Sequence, residues 1–576
     1  MLPVQLSDLP DEVLVVLMQH VPLQQRLCGC ARLSKKFLRA AAAATTSIKH
    51  HASKVDTVYG LQAYLQSHGT VVVNLDLKPA LTPLHWLPYA LQQLPCPGLL
   101  QLQLTDTLVQ FTAIPGSQQP GILSSCTSLT SLCLLNCYVM DPSQHLGALS
   151  VLQDLQELVV RWDADSSRRA SQPLSLLPGS LLSQLVRLTS IYLSNTMRFG
   201  SLEHLSCLSG LQQFRVVLAA EAKQESFSGV DQLQHLTSLR LDCHQSQQSI
   251  AVGVKCQPDL SKLTTLKELD VWACKDFKPV VLQQMRSLQD LAIRRTNLSG
   301  DARGTSNMLR MLRVLKGVKQ LDLEGTLQHP AVQLKDYTAL TCLSSLGVLV
   351  MSHCSLPAGL WQKLAETNTP MRSVWSLNID YCTAEPLGTD GLSSLVKCFP
   401  SLVGLSCVQS TQRNIQWTPL QQLYYLQALH TTEIDDTDVP VLASLQHLTE
   451  LKVMSPSSIT DLGLLKLTAL YKLEHLHVTG DLSNGLGNGE PGQCAAEITN
   501  QAPAGQVCPV LQHGSSDAMY WLTKSNNQAL AAVAQSLGGY FAAFAIGSNP
   551  MLSHKVLMSL HVFAIDLDTW HAWHLA

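Results

Sequence analysis

Cys382 to Leu402 reads CTAEPLGTDGLSSLVKCFPSL, and this stretch decides the fold. Just upstream, Val374, Leu377 and Ile379 follow the spacing L-x-x-L-x-L, in which alternate apolar residues point to one side of a short strand. Within the stretch, Leu392, Leu395 and Val396 recur at helical spacing and Cys398 closes that element. Leu402 then begins the next copy. The order is strand, turn, helical return, strand. One such unit cannot bury its leucines, but stacked units share a continuous core.

Copies extend in both directions. Upstream they begin at Val72, Leu75 and Leu77, then Leu99, Leu102 and Leu104, then Leu129, Leu132, Leu134 and Cys137. Weaker ones start at Leu155, Leu188, Leu211 and Leu236. Leu266, Leu269, Val271 and Cys274 form a strong copy, followed by copies from Leu288 and Val318 and by Leu346, Leu349, Met351 and Cys354. Downstream they start at Leu402, Leu426, Leu448 and Leu473. The period, roughly 22 to 33 residues over about sixteen copies, overlaps that of leucine-rich repeats. The pattern resembles their cysteine-containing class, and Cys137, Cys274, Cys354 and Cys382 match its usual Asn-or-Cys turn position. Strands about 4.8 Å apart would build a curved parallel sheet roughly 75 Å long. Polar insertions at Ser166–Pro173 and Ala219–Gly229 predict loops on the convex side or rim.

Between the inward leucines, alternate residues face the concave side. Arg161, Trp162, Tyr192, Arg215 and Arg240 come first. Glu268, Asp270, Trp272, Asp290, Asp322, Glu324 and Asp380 follow, with Arg294 interrupting the acids. Tyr, Trp and Arg are typical interface anchors, so this face is the expected surface for a target protein.

In front of the array stands LSDLPDEVLVVLMQHVPLQQRLCGCARLSKKFLRAAA, Leu6 to Ala42. Leu9, Val13, Leu14, Leu17 and Val21 trace one face of a first helix. Pro10, Asp11 and Glu12 suit its first turn. Pro22 ends it and can open a second helix carrying Leu23, Leu27 and Cys30. Ser34 can cap a third, with Phe37, Leu38 and Ala41. Leu9-Pro10-Asp11-Glu12, the helical apolar run, the Pro-containing break and Leu33-Ser34-Lys35-Lys36-Phe37 together resemble an F-box. That family usually has Trp where this chain has Phe37.

The resemblance implies an α/β leucine-rich-repeat solenoid behind a small three-helix F-box-like head. It implies the substrate-recognition subunit of an SCF-type cullin-RING ubiquitin ligase. The head would bind a Skp1-type adaptor, and through it a cullin and a RING protein, using Leu9, Pro10, Val13, Leu14, Leu17, Val21, Leu27, Leu33 and Phe37. Such a receptor is not an enzyme and needs no cofactor; it works by proximity. The alternative is a leucine-rich-repeat interaction scaffold with no ligase link, its head only capping the array. A GTPase-activating repeat protein is a further rival, although no motif requires it. The expected domains are a head at 1–48, an array at 49–482, a flexible linker at 483–516 and a C-terminal extension at 517–576.

Composition narrows the remaining classes. A net charge of −3 over 576 residues, with 14% charged residues, attracts neither nucleic acid nor acidic membranes globally. The aromatics are not interleaved with a basic stripe, which argues further against nucleic acid. Of the 17 cysteines many fall at equivalent repeat positions rather than in a disulfide frame, so a reducing compartment, cytoplasmic or nuclear, is expected. The opening MLPVQLSDLPDE lacks the basic and apolar regions of a signal peptide.

Little chemistry is written elsewhere. Gly487-Asn488-Gly489-Glu490-Pro491-Gly492 matches a phosphate-loop pattern, but Pro491 interrupts it and no helix follows. His475 and His477 share a strand face without an evident third ligand, and Cys28-Gly29-Cys30 has the wrong spacing for zinc. His571 and His574 have no nameable partners, and no metal site is expected. Ala529–Ile546 carries no charge, yet Gln535, Ser536 and Gly538-Gly539 make it a poor membrane span.

Overall fold

The L-x-L pairs supply the inward side of short strands, as in Glu268–Trp272, where Leu269 and Val271 are buried between three outward residues. In Ser376–Asn378 only Leu377 lies within the strand, and Ile379 is buried just past its end. In this computed structural model the described residues are 10–19, 21, 36–37, 40–41, 46–52, 61, 64–79, 96–106, 108–109, 122–139, 148–161, 182–194, 202–217, 230–243, 260–274, 277–296, 298, 302–328, 332–384, 387–410, 415–432, 434–454, 459, 463, 466–467, 469–480 and 494–499. Both polar insertions, the charge-free stretch and all residues beyond 499 lie outside them. Among the described residues no helix is long and apolar enough to cross a membrane.

The chain divides into two units, Met1–His329 and Pro330–Ala576. In the first, strands pair in parallel in chain order: Ser47–Ala52, Asn74–Pro79, Gln101–Thr105, Ser131–Leu135, Glu157–Arg161, Ser190–Leu193, Gln213–Val217, Ser238–Asp242, Glu268–Trp272, Asp290–Arg294 and Gln320–Asp322. In the second, Val348–Val350, Ser376–Asn378, Gly404–Ser406, Ala428–Thr431, Glu450–Val453 and His475–Gly480 do the same. Each is a leucine-rich-repeat array with an unclosed parallel sheet. Buried leucines continue from strand to strand, and full burial of each is worth about 1.5–3 kcal/mol.

The first ladder starts one strand before the leucine template, at Ser47–Ala52, where only Ile48 is both apolar and shown buried. The second ends with Cys494–Thr499, which pairs antiparallel with His475–Gly480. That strand falls inside residues 483–516, expected as linker. The physical reason is the open edge of His475–Gly480, whose backbone groups it satisfies; the rest of that stretch lies outside the described residues.

The return side varies with the length available. Ile122–Ser125, Ala148–Val151, Leu202–Cys207 and Pro279–Gln284 are 3₁₀ turns. Ala302–Leu312, Leu360–Glu366 and Thr389–Cys398 are α-helices. The last holds Leu392, Leu395 and Val396 in the core, as its spacing predicts.

Candidate interaction surfaces

Because the strands pair in register, equivalent residues form rows across the sheet. One row in the first unit runs Tyr192, Arg215, Arg240, Asp270, Ala292, Asp322. The next holds Asp242, Trp272 and Arg294, and the row on the other side holds Glu268 and Asp290. All stand on the face opposite the buried leucines or at its margin. Arg161 ends its strand and is exposed, while Trp162 lies outside the described residues. Glu324 lies two residues past the end of its strand.

Asp380 belongs to the second unit, two residues beyond Ser376–Asn378. Its Oδ1 accepts from the Val408 N–H at 2.7 Å, and both carboxylate oxygens lie 2.8 Å from the Ser406 hydroxyl. This carboxylate therefore ties its turn to the strand end and turn of the next repeat.

Read as a list, the first-unit charges look basic, then acidic. In space they interlock. Arg240 Nε lies 3.0 Å from Asp270 Oδ2, an ion pair whose N–H is not aligned as a hydrogen bond. Arg294 Nη1 lies 3.9 Å from the same oxygen, and Arg294 Nε donates to Asp322 Oδ2 at 2.7 Å. Asp322 Oδ1 accepts from the Glu324 N–H at 3.0 Å, and Glu324 pairs with Arg295 at 2.8 Å. The Arg294 guanidinium also stands 5.9 Å from the Trp272 ring centroid.

The electrostatics follow from this packing. Burial pushes the Asp270 carboxyl up, against the pull of Arg294 and Arg240. Burial works to lower Arg294, yet Asp270 and Asp322 outweigh it and hold that guanidinium above its ordinary value. Arg215 is pushed down, by burial first and by Arg240 second. Its guanidinium sits 4.2 Å from the Tyr192 ring centroid, and its Nε is buried with no hydrogen-bond partner.

The head carries a second surface. Asp11–Gln19 is a helix, and Lys36, Phe37, Ala40 and Ala41 are helical. Leu14, Met18, Phe37, Ala40 and Ala41 form a core of their own, with Val15 and Val21 partly buried against it. Lys36 Nζ lies 3.6 Å from Asp11 Oδ1. Leu14 and Phe37, nominated for the adaptor, are thus 1% and 8% exposed. Any part they take in docking runs through holding the helix in place. Val13, Val16 and Leu17 are instead 43%, 53% and 42% exposed, and Pro10 is exposed beside them. Their spacing puts them on one stripe. Val16 was missed because the helix is apolar on two sides, and only its packing partner tells them apart. Leu9, Leu27 and Leu33 lie outside the described residues.

Sequence reading also missed the exposed aromatics Trp375, Tyr424, Tyr425 and Tyr471 of the second unit. They lie in segments leading into strands, where the alternation rule does not reach.

No family model matches this chain, and no curated protein does. Among solved structures it is similar to an internalin from Listeria monocytogenes, at 16% identity over 81% of this chain and 93% of that one, with a TM-score of 0.31. It is similar to a leucine-rich-repeat protein of Leptospira interrogans, at 16% identity over 69% and 94%, with a TM-score of 0.36. A third likeness is to TLR13 in its complex with ssRNA13, at 15% identity over 75% and 71%, with a TM-score of 0.43. The leucine-rich-repeat assignment stands on the strand ladder and its buried leucines, independently of these likenesses.

Proposed function

We propose that this chain is the substrate receptor of a cullin-RING ubiquitin ligase. The head would dock a Skp1-type adaptor, and the open sheet face would carry the target protein. The observation that supports this reading is the exposed stripe of Pro10, Val13, Val16 and Leu17 on a helix whose other side already fills a core. A helix that merely closed its own small core would gain nothing from three exposed aliphatic side chains in a row. Together with the F-box-like sequence, this makes adaptor docking the best use of the head. The chain itself would perform no bond chemistry; it would raise the local concentration of its target near the ubiquitin-loaded enzyme.

Co-purification tests the reading. Wild type should bring down a Skp1-type adaptor, and Val13→Asp with Leu17→Asp should lose it while the chain stays folded. Absence of the adaptor from the wild type, or its retention by the double variant, would overturn the ligase role. A second reading, a scaffold without a ligase link, is favoured by Phe37, the smaller ring at the family's Trp position, being wholly engaged inside the head. It predicts targets bound by the array and no adaptor.

A further inference from the structure

In the row Tyr192, Arg215, Arg240, Asp270, one guanidinium has neither a salt-bridge partner among the described residues nor a hydrogen-bond partner for its buried Nε. Arg294 has Asp322 to itself and leans on Asp270 only at 3.9 Å. Asp270 faces Arg240 at 3.0 Å. Arg215, the third guanidinium, makes no ion pair with a described residue. Asp242, buried in the adjoining row, and Asp270 act on it only through space. The Tyr192 ring fixes its position from one side, and Arg240 on the neighbouring strand repels it from the other. Two guanidiniums in one row of adjacent strands, about 4.8 Å apart in backbone spacing, form a fork for an anionic oxygen pair. Holding them together costs free energy that an incoming anion would recover.

We propose that Arg215 and Arg240 receive the carboxylate of a Glu or Asp side chain from a protein partner laid on this face. A single negative charge supplies the direct partner that Arg215 lacks, and Asp242 and Asp270 nearby leave no room for more. A phosphoryl group brings about −1.5 to −2. Its excess would stand close to Asp270, whose Oδ1 is buried without a hydrogen-bond donor. The same carboxylate acts as a filter: it tolerates a monoanion bridging the two arginines and repels a dianion. Arg supplies the planar, two-pronged geometry that a carboxylate matches, which a lysine would not. The proposal rests on reading the open sheet face as the surface that carries a partner. It does not depend on the head.

The experiment uses the full chain, immobilised, with an array of peptides in which short runs of Glu, Gln or phosphoserine are set among Gly and Ser. Glu peptides should be retained about tenfold more strongly than their Gln counterparts, the scale of a charge-assisted hydrogen bond. Arg215→Gln should remove most of that preference. Arg215→Lys should keep part of it, since the charge survives without the fork. Arg187→Gln, whose guanidinium already pairs with Asp154 at 2.6 Å, should leave it unchanged. Equal retention of Glu and Gln peptides, stronger retention of phosphoserine peptides, or an unaltered preference in Arg215→Gln would each overturn the assignment. Adaptor capture, measured in parallel, separates the two ideas. Losing the adaptor while the Glu preference persists would defeat the ligase role alone.

Discussion

The Sγ of Cys382 donates to the carbonyl oxygen of Met351 at 3.1 Å, joining the turn of one repeat to the strand end of the repeat before it. The same relationship recurs from Cys137 to Leu104 at 3.1 Å, from Thr296 to Val271 at 3.3 Å and from Thr326 to Ile293 at 2.5 Å. The turn residue is thus chosen for a small donor, and hydroxyl serves as well as thiol. A hydroxyl does more: Thr326 Oγ1 also accepts from the Thr296 N–H at 3.3 Å. Thr326→Val keeps the shape and removes both bonds from a buried site. It should cost about 1–3 kcal/mol in chemical denaturation, whereas Thr326→Ser should retain most of the stability. Equal midpoints for Val and wild type would show that packing alone sets this position.

The residue before each such turn is left-handed. Asn136, Ala273, Arg295, His353, Tyr381 and Gln409 have φ between 46° and 55°, and Gly325 has φ of 60°. Only the last is a glycine, and its site is also crowded: a Cβ there would meet Arg295 Cγ at 3.0 Å. Gly325→Ala should therefore destabilise the first unit by about 1–2 kcal/mol, the scale of the left-handed penalty. Ala273→Gly should move stability less, because relief of strain is offset by a freer unfolded chain. Thermal melts of both variants against wild type would check the contrast.

The strands were legible because their signal is local. Leu269 and Val271 alternate with Glu268, Asp270 and Trp272 whatever the loops do, so burial and outward facing follow from the pattern. Rows were legible too, since Arg240 and Asp270 each sit between an inward pair. Their ion pair was not, because it depends on how far each side chain reaches across the sheet. The return side was only half legible: PVVLQQ at Pro279–Gln284 and ARGTSNMLRML at Ala302–Leu312 both follow a strand, yet only the longer closes α-helical turns. In the head, Leu14 and Leu17 look alike in sequence; Phe37, distant along the chain, makes one core and leaves the other outside.

Asp438 links the second unit to pH. Burial, and then the charge of Asp435, push its carboxyl up from 3.8 to about 6, against the help of an Asp435 backbone bond. A folded value above the unfolded one means that the proton stabilises the fold. That contribution is full below about pH 4 and is lost as pH rises through about 6. Asp438→Asn can still accept the Asp435 N–H, which lies 3.0 Å from Oδ2, and carries no charge. The variant should melt higher than wild type at pH 7.5, with the gap narrowing towards pH 4. A gap independent of pH would show that charge at Asp438 is not the cause.

The head offers the sharpest separation between holding a fold and presenting a surface. Leu14 and Leu17 stand one helical turn apart, a single residue off the four-step that would align them, on a helix of nine residues. Leu14→Ala empties part of a core that among the described residues holds Met18, Phe37, Ala40 and Ala41, with Val15 and Val21 partly buried against it. Such truncation costs about 2–5 kcal/mol in well-packed interiors. Leu17→Ala removes an exposed side chain and should change stability by no more than about 0.5 kcal/mol. Hydrogen exchange of residues 11–19 would therefore accelerate strongly in the first variant and hardly at all in the second. Adaptor capture should fall in both, in the first because the helix is lost and in the second because the stripe is broken. Protection that survives in Leu17→Ala while capture falls would assign the loss to the surface itself. Capture unchanged in Leu17→Ala would take the stripe out of the docking reading.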